Sequence, residues 1–237
     1  YEILRCLVGS EMCIRDRLIN STPQTEEQAM VRKVAVSSFL GNFIEWFDYA
    51  SYSYFATTIA LVFFPTDNHT VAMLQTFGVF ALSFILRPIG ALFWGSYGDK
   101  KGRKAALAHS IMFMSGASFL IGCLPSYSVI GVGAPILLLL LRMVQGFSAS
   151  GEYAGAATFL GEYAPTSKRG IYCSLIPAST AIGLLAGSTL ATLMTANMNS
   201  SAMVGWGWRV PFLLAGPLGL IAVSYTHLRA HETSQDL

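Results

Sequence analysis

Charged residues are scarce in this sequence. They make up 12% of its 237 residues, about half of the roughly 25% found in soluble domains. Cysteine is also scarce, with four residues, which argues against a small secreted module held together by disulfides. The formal net charge of +2 excludes a strongly basic nucleic-acid binder. Because 53% of the residues are hydrophobic, the composition favours a protein that crosses a membrane several times.

The two ends of the chain are related to each other at the level of DNA. Codons for Leu7–Asp16, read on the opposite strand, encode Val223–Glu232 residue for residue. One DNA element therefore flanks the insert in opposite orientations, and it resembles the transposase adapter used in sequencing libraries. We predict that residues 1–17 and 223–237 are adapter-derived and set them aside. The segment between them is then expected to be a fragment of a longer protein.

The remaining Cys and His residues do not predict a metal site. Four of them lie between the two ends, at His69, His109, Cys123 and Cys173. Their spacing does not match that of metal ligands. We expect no metal and no cofactor.

Residues 18–33 form a polar N-terminal segment, and six apolar segments follow it. A membrane-spanning helix needs about 20 residues, and five of the six segments reach that length. The sixth has 13 residues, so we expect its helix to be cut short. The predicted helices are 34–64, 71–97, 105–124, 134–163, 170–194 and 210–222. A large soluble helical bundle is the alternative, but it does not explain five runs of spanning length.

Basic residues occur in every second connection between these segments, and therefore on one side of them. They precede segment one, separate segments two and three, and separate segments four and five, whereas 65–70, 125–133 and 196–207 contain no Lys or Arg. Positive residues mark the cytoplasmic side of a membrane protein. The N-terminus is therefore predicted to be cytoplasmic, with the lipid bilayer as a partner and no nucleic acid.

Five ionisable residues fall inside the apolar segments, where each costs at least about 2.5–3.5 kcal/mol. Glu45 and Asp48 share one helix face by their i, i+3 spacing, and the others are Arg87, Arg142 and Glu152. They either lock the helices together as ion pairs or carry a function. A carboxylate that changes partner between two conformations can take up and release a proton.

These residues suggest two functional groups. Glu45, Asp48, Arg142 and Glu152 are the candidates for proton coupling. Arg87 and Arg142 could instead bind a substrate carboxylate with two parallel hydrogen bonds, and Tyr52 and Gln145 are candidate lining residues of that substrate site.

Several short motifs resemble those of one superfamily. Gly95–Lys104 reads G-S-Y-G-D-K-K-G-R-K, similar to the signature of the major facilitator superfamily between its second and third helices. R-M-V-Q-G at 142–146 resembles its fourth-helix motif. G-N-F-I-E-W-F-D-Y at 41–49, L-R-P-I-G at 86–90, G-E-Y at 151–153 and W-G-W-R-V-P-F at 206–212 resemble the metabolite:proton symporter family. That family includes transporters of proline and betaine, α-ketoglutarate, citrate and shikimate.

The resemblance implies an all-α membrane protein and a particular activity. The chain would be the six-helix N-terminal half of a twelve-helix transporter, built from two inverted three-helix repeats with the sixth helix truncated. The whole protein would carry a small carboxylate or a betaine- or proline-like zwitterion across the bacterial inner membrane, with a proton as coupling ion. Its missing partner would be the C-terminal six-helix half, without which the fragment is expected to be inactive.

The resemblance also implies a conformational gate on the cytoplasmic side. Its members would be Gly95, Asp99, Gly102, Arg103, Glu162 and Arg169. A membrane sensor or scaffold that kept this fold but lost transport is the alternative function. A membrane enzyme is less favoured, because the sequence shows no nucleophile with a base and no phosphate-binding loop.

Overall fold

The computed structural model describes residues 23–151, 164–165 and 168–227. Within these ranges the regular secondary structure is helical throughout. In chain order the α-helices are α1 Pro23–Tyr54, α2 Ala56–Phe63, α3 His69–Ile85, α4 Arg87–Lys101, α5 Arg103–Cys123, α6 Tyr127–Ile130, α7 Gly133–Ala149, α8 Arg169–Asn197, α9 Ser200–Ala202 and α10 Arg209–His227. A π-helical turn, Met203–Gly207, connects α9 to α10.

The first two predicted segments are each interrupted. Segment one comprises α1 and α2, separated at Phe55, and α1 begins at Pro23 rather than at residue 34. Segment two comprises α3 and α4, separated at Leu86. The second interruption immediately precedes Arg87-Pro88, and proline near the start of a helix lacks the N–H that a continuous helix would need. Both interruptions are local, because helical hydrogen bonds run from the Phe55 N–H to the Ser51 carbonyl and from the Gly90 N–H to the Leu86 carbonyl.

The later segments agree with the prediction to different extents. Helices α5 and α8 begin and end within three residues of the predicted 105–124 and 170–194. Helix α7 covers 133–149 of the predicted 134–163, and residues 152–163 lie outside the described part. Helix α10 continues to His227, five residues beyond the predicted end at 222. The adapter origin of those five residues stays a prediction.

Four of the described helical stretches are long and apolar enough to cross a membrane: 69–101, 105–123, 169–197 and 200–224. Helix α7 is apolar but shorter. Helix α1 is not among the four, and its otherwise apolar stretch carries Asn42, Glu45 and Asp48. Helix α1, which holds the buried carboxylates, is therefore less apolar than these four stretches.

The helix contacts follow an internal symmetry. Counting the six predicted spans in order, span one (α1) packs against span five (α8), and span four (α7) packs against span two (α3 and α4). Span three (α5) packs against span six (α10). When spans one, two and three are exchanged with spans four, five and six, the one–five contact becomes the two–four contact and the three–six contact is unchanged. This pattern agrees with the two three-helix repeats expected from the sequence.

Glycines let the paired spans approach closely. A Cβ at Gly146 of α7 would collide with the backbone carbonyl of Ser83 in α3. A Cβ at Gly90 of α4 would collide with the carbonyl of Phe147 in α7. Because a backbone carbonyl cannot move aside as a side chain can, these positions require glycine for the observed helix separation.

Replacement of one of these glycines should therefore loosen the bundle. We expect Gly146→Ala to lower the free energy of unfolding by about 1–3 kcal/mol, the usual cost of overpacking. Unfolding of the detergent-solubilised protein, followed by circular dichroism, measures this. Gly78→Ala is the matched control, because a Cβ at Gly78 meets no atom within 4 Å. Equal stability of the two variants would contradict the close-packing role of Gly146.

Candidate functional site

Helix α1 positions the two buried carboxylates. It packs against α8 and α10 and also contacts α5, so its mid-region is surrounded by other helices. Glu45 and Asp48 are both buried, and their i, i+3 spacing directs them to the same side of α1. Each carboxylate therefore needs a partner from a neighbouring helix.

Arg87 is the partner of Glu45. Its Nη2 donates a hydrogen bond to Glu45 Oε1 and another to the hydroxyl oxygen of Tyr49. Arg87 is the first residue of α4 and follows the interruption at Leu86. Its side chain is 31% exposed, whereas that of Glu45 is 4% exposed. The pair thus joins a buried carboxylate to an arginine that reaches the surface of the helical bundle.

Arg142 is the partner of Asp48. Its Nη1 donates to Asp48 Oδ2 at 2.5 Å. Gln145 Nε2 donates to the other carboxylate oxygen at 3.2 Å and to Ser118 Oγ at 2.5 Å. Arg142, Gln145 and Asp48 are all buried. This network connects α1, α5 and α7 through polar groups enclosed by apolar helices.

Tyr52 lies beside the second pair. It is fully buried, and its hydroxyl donates to the backbone carbonyl of Thr76 at 2.8 Å. The guanidinium carbon of Arg142 lies 3.9 Å from the centre of the Tyr52 ring. Tyr52 therefore contacts the arginine through its ring and is anchored to α3 through its hydroxyl.

The structure thus brings together most of the residues proposed for coupling and binding. Glu45 and Asp48 each pair with an arginine, and Gln145 and Tyr52 contact the Asp48–Arg142 pair. Of the four proposed substrate-binding residues, Arg87 alone reaches the surface, because Arg142, Tyr52 and Gln145 are enclosed. Glu152 lies outside the described residues.

The proposed gate is described in part. Gly102 is the single residue between α4 and α5, and its φ of 92° is one that L side chains rarely adopt. The tight turn expected of this loop is therefore present at Gly102. Gly95 has open space around it, since a Cβ there would meet no atom within 4 Å.

The structure describes the side chains of two of the four charged gate residues. Asp99, near the end of α4, and Arg169, at the start of α8, are both exposed. Glu162 and the side chain of Arg103 lie outside the described part. The charge cluster of these four residues stays a prediction.

Sequence reasoning missed Asn42, a polar residue on α1. Its Nδ2 donates to Ser179 Oγ at 2.7 Å and to the Ile176 carbonyl at 3.0 Å, both on α8. Trp46 Nε1 in turn donates to Asn42 Oδ1 at 3.2 Å. The sequence signal that could have identified it was an asparagine inside an apolar segment, one helical turn before Glu45. Asn42 fixes α1 against α8 and so fixes the orientation of both carboxylates.

No group of three or more potential metal ligands occurs in residues 23–151, 164–165 and 168–227. The polar interior therefore consists of carboxylate–arginine pairs, amides and hydroxyls. Long apolar helices that enclose such pairs are typical of a multi-pass membrane protein.

Most of the chain matches the model of one protein family. A family model described as sugar (and other) transporter matches residues 33–229, and the chain belongs to this family of the major facilitator superfamily. It is a transporter family and not a family of enzymes.

The curated relatives carry more specific names. The glycine betaine/proline/ectoine/pipecolic acid transporter OusA of Dickeya dadantii is 42% identical over 201 residues, which is 85% of this chain and 40% of OusA. The proline/betaine transporter of Escherichia coli K12 is 41% identical over the same length, again 40% of that protein. This chain thus spans about two fifths of the length of the curated relatives it matches.

Solved structures share the fold. The proton:xylose symporter XylE bound to 6-bromo-6-deoxy-D-glucose superposes with a TM-score of 0.72 and 18% identity over 84% of this chain and 44% of that one. The inward-open form of XylE from E. coli gives 0.70 and 18%, over 84% and 47%. The likeness shows a common helical arrangement.

The two ion pairs should differ in their contribution to stability. Arg142→Leu leaves a buried carboxylate without its cation, and we expect a loss of about 3–5 kcal/mol in the free energy of unfolding. Glu45 is as buried as Asp48, but Arg87→Leu should cost less, because Arg87 is 31% exposed and its removal lets water reach the Glu45 carboxylate from the surface. Denaturant unfolding of both variants in detergent provides the comparison. Equal losses would contradict the difference in burial between the two pairs.

Proposed function

We propose that the protein containing this chain imports a small zwitterion or organic acid together with a proton, by alternating access. The observation that carries the proposal is the pair of buried carboxylates on α1, each bound to an arginine from a different helix. Three of these four charges, Glu45, Asp48 and Arg142, are buried, and buried charges in an apolar interior are costly. Two carboxylate–arginine pairs that can exchange partners give such charges a use in transport.

Coupling follows from charge balance. Protonation of Asp48 or Glu45 neutralises the carboxylate and weakens its hold on the arginine. A substrate carboxylate can then take the vacated position on the guanidinium, so that the site remains electrically balanced with proton and substrate both bound. A conformation that binds both ligands better than either alone is favoured only when both are present.

Arg87 is the proposed contact for the substrate carboxylate. It is the partly exposed arginine of the two, and its guanidinium lies 5.5 Å from the Tyr49 ring and 4.7 Å from the Phe84 ring. Trp46 packs edge-on against Tyr49 at 5.7 Å. Aromatic faces attract ammonium groups, so these rings could hold the positive end of a zwitterion. The names of the proline and betaine transporters agree with such a substrate.

The proposed orientation follows from the basic loops. The N-terminus and the loop at Lys100–Lys104 would face the cytoplasm of a bacterial inner membrane. The gate residues Asp99, Arg103, Glu162 and Arg169 would close that side. A second six-helix half would complete the binding site, since transporters of this kind bind substrate between two repeats.

Uptake of radiolabelled betaine, proline and dicarboxylates by cells expressing the complete gene tests proton coupling. We expect a protonophore to abolish accumulation, and Asp48→Asn to reduce uphill uptake at least tenfold while sparing exchange across the membrane. Glu152→Gln should behave similarly. Asp67→Asn is the control, because Asp67 is an exposed carboxylate in the loop before α3. Accumulation that survives the protonophore would contradict proton symport, and no uptake of any substrate would favour a sensor or scaffold.

The substrate contact has its own test. Trp46→Ala and Arg87→Lys should raise the KM for betaine about tenfold, because each loses a contact with one end of the zwitterion. Trp206→Ala is the matched control, since Trp206 is exposed and belongs to the π-helical turn and not to α1 or α4. An unchanged KM in both site variants would remove this surface from substrate binding.

A further inference from the structure

Three aromatic rings surround the guanidinium group of Arg142. Its central carbon lies 3.9 Å from the centre of the Tyr52 ring, 5.6 Å from that of Phe212 and 5.9 Å from that of Phe80. All three distances fall within the range of about 6 Å in which a cation is attracted to a ring face. The rings come from α1, α3 and α10, and we call them the aromatic cage.

Arg142 has hydrogen-bond donors without a hydrogen-bond partner among the described residues. Its Nη1 binds Asp48, but Nε and Nη2 are buried and have no hydrogen-bond partner among the described residues. The side chain is 1% exposed, so bulk water does not reach these groups. Among the described residues, the three ring faces are groups within cation–π distance of the guanidinium that can compensate its remaining charge.

The cage is held in place independently of Asp48. The Tyr52 hydroxyl is anchored to the Thr76 carbonyl at 2.8 Å, and Phe80 stacks on Tyr52 with ring centres 5.4 Å apart. Phe212 packs against Trp208, which is itself fully buried and packs against Phe63. None of these anchoring contacts involves the carboxylate of Asp48.

The Glu45–Arg87 pair provides a comparison within the same molecule. Arg87 also lies over two rings, Tyr49 and Phe84, but its side chain is 31% exposed. Solvent or substrate can therefore stabilise Arg87 when Glu45 is neutral. Arg142 has no such access, so a neutral Asp48 would leave it dependent on its surroundings in the protein.

We propose that Tyr52, Phe80 and Phe212 are positioning residues that bind the Arg142 guanidinium by cation–π attraction and hold it, still charged, when Asp48 becomes neutral. Arg142 then keeps its place and can accept Asp48 again once that carboxylate loses its proton. The part of this inference that concerns transport rests on the proposed function. The attraction itself does not, and it can be measured without substrate.

Graded fluorination of Phe212 tests the attraction in the complete protein. Adding one, two and three fluorines to the ring weakens its negative face and leaves its shape nearly unchanged. We expect the thermal unfolding midpoint to fall stepwise, by a total of about 4 °C over the three fluorines. The fall should be steeper in the Asp48→Asn background, where Arg142 has lost its anionic partner.

Phe63 is the matched control. It is as fully buried as Phe212 and packs against the same Trp208, and no arginine lies over its ring among the described contacts. Fluorination of Phe63 should leave the midpoint unchanged. Equal slopes at Phe63 and Phe212, or no dependence on fluorine number, would overturn the proposal.

Uptake by the same variants separates the two ideas. A graded fall in stability in a protein that accumulates no substrate would refute the proposed function and leave the cage standing. Normal proton-coupled uptake with no fluorine dependence in the unfolding midpoint would refute the cage and leave the function standing.

Discussion

The burial of Glu45 and Asp48 on one face of α1 is the constraint on which the rest of the arrangement depends. A carboxylate inside an apolar bundle is tolerated only with a cation and hydrogen-bond donors around it. Arg87 must therefore reach α1 from the start of α4, and Arg142 must reach it from α7. The interruption at Leu86, the register of α7 and the amide of Gln145 all serve that requirement. The two pairs connect three spans through charge and not through apolar packing.

Close helix packing complements these pairs, because a short ion pair between two helices requires their backbones to lie near each other. Gly146 permits contact between α7 and α3, and Gly183 permits contact between α8 and the backbone of Phe43 in α1. Asn42 adds hydrogen bonds at the same α1–α8 contact.

The predicted spans and the observed helices differ where backbone geometry is decided locally. Hydropathy does not register the interruption at Phe55, because residues 51–58 contain no charged residue, glycine or proline that would mark a break. It does not register Leu86 either, since that interruption arises because Pro88 lacks the N–H of a continuous helix. The polar residues before Val34 obscured the start of α1, since a helix can extend into water when its end is solvated. Boundaries of this kind depend on capping and solvent contact more than on average hydrophobicity.

The sequence by itself determined the class of fold, the family and the residues that are expensive to bury. These conclusions rest on local properties: apolar runs of spanning length, basic residues in every second connection, and short motifs. Such properties can be recognised without the tertiary structure. Only the tertiary structure decided which arginine meets which carboxylate, because the partners lie 42 and 94 residues apart in the chain. It also decided that Phe212, unremarkable in the sequence beyond its place in a family motif, lies against Arg142. Contacts between distant segments depend on how helices pack, and that packing is set by the whole chain at once.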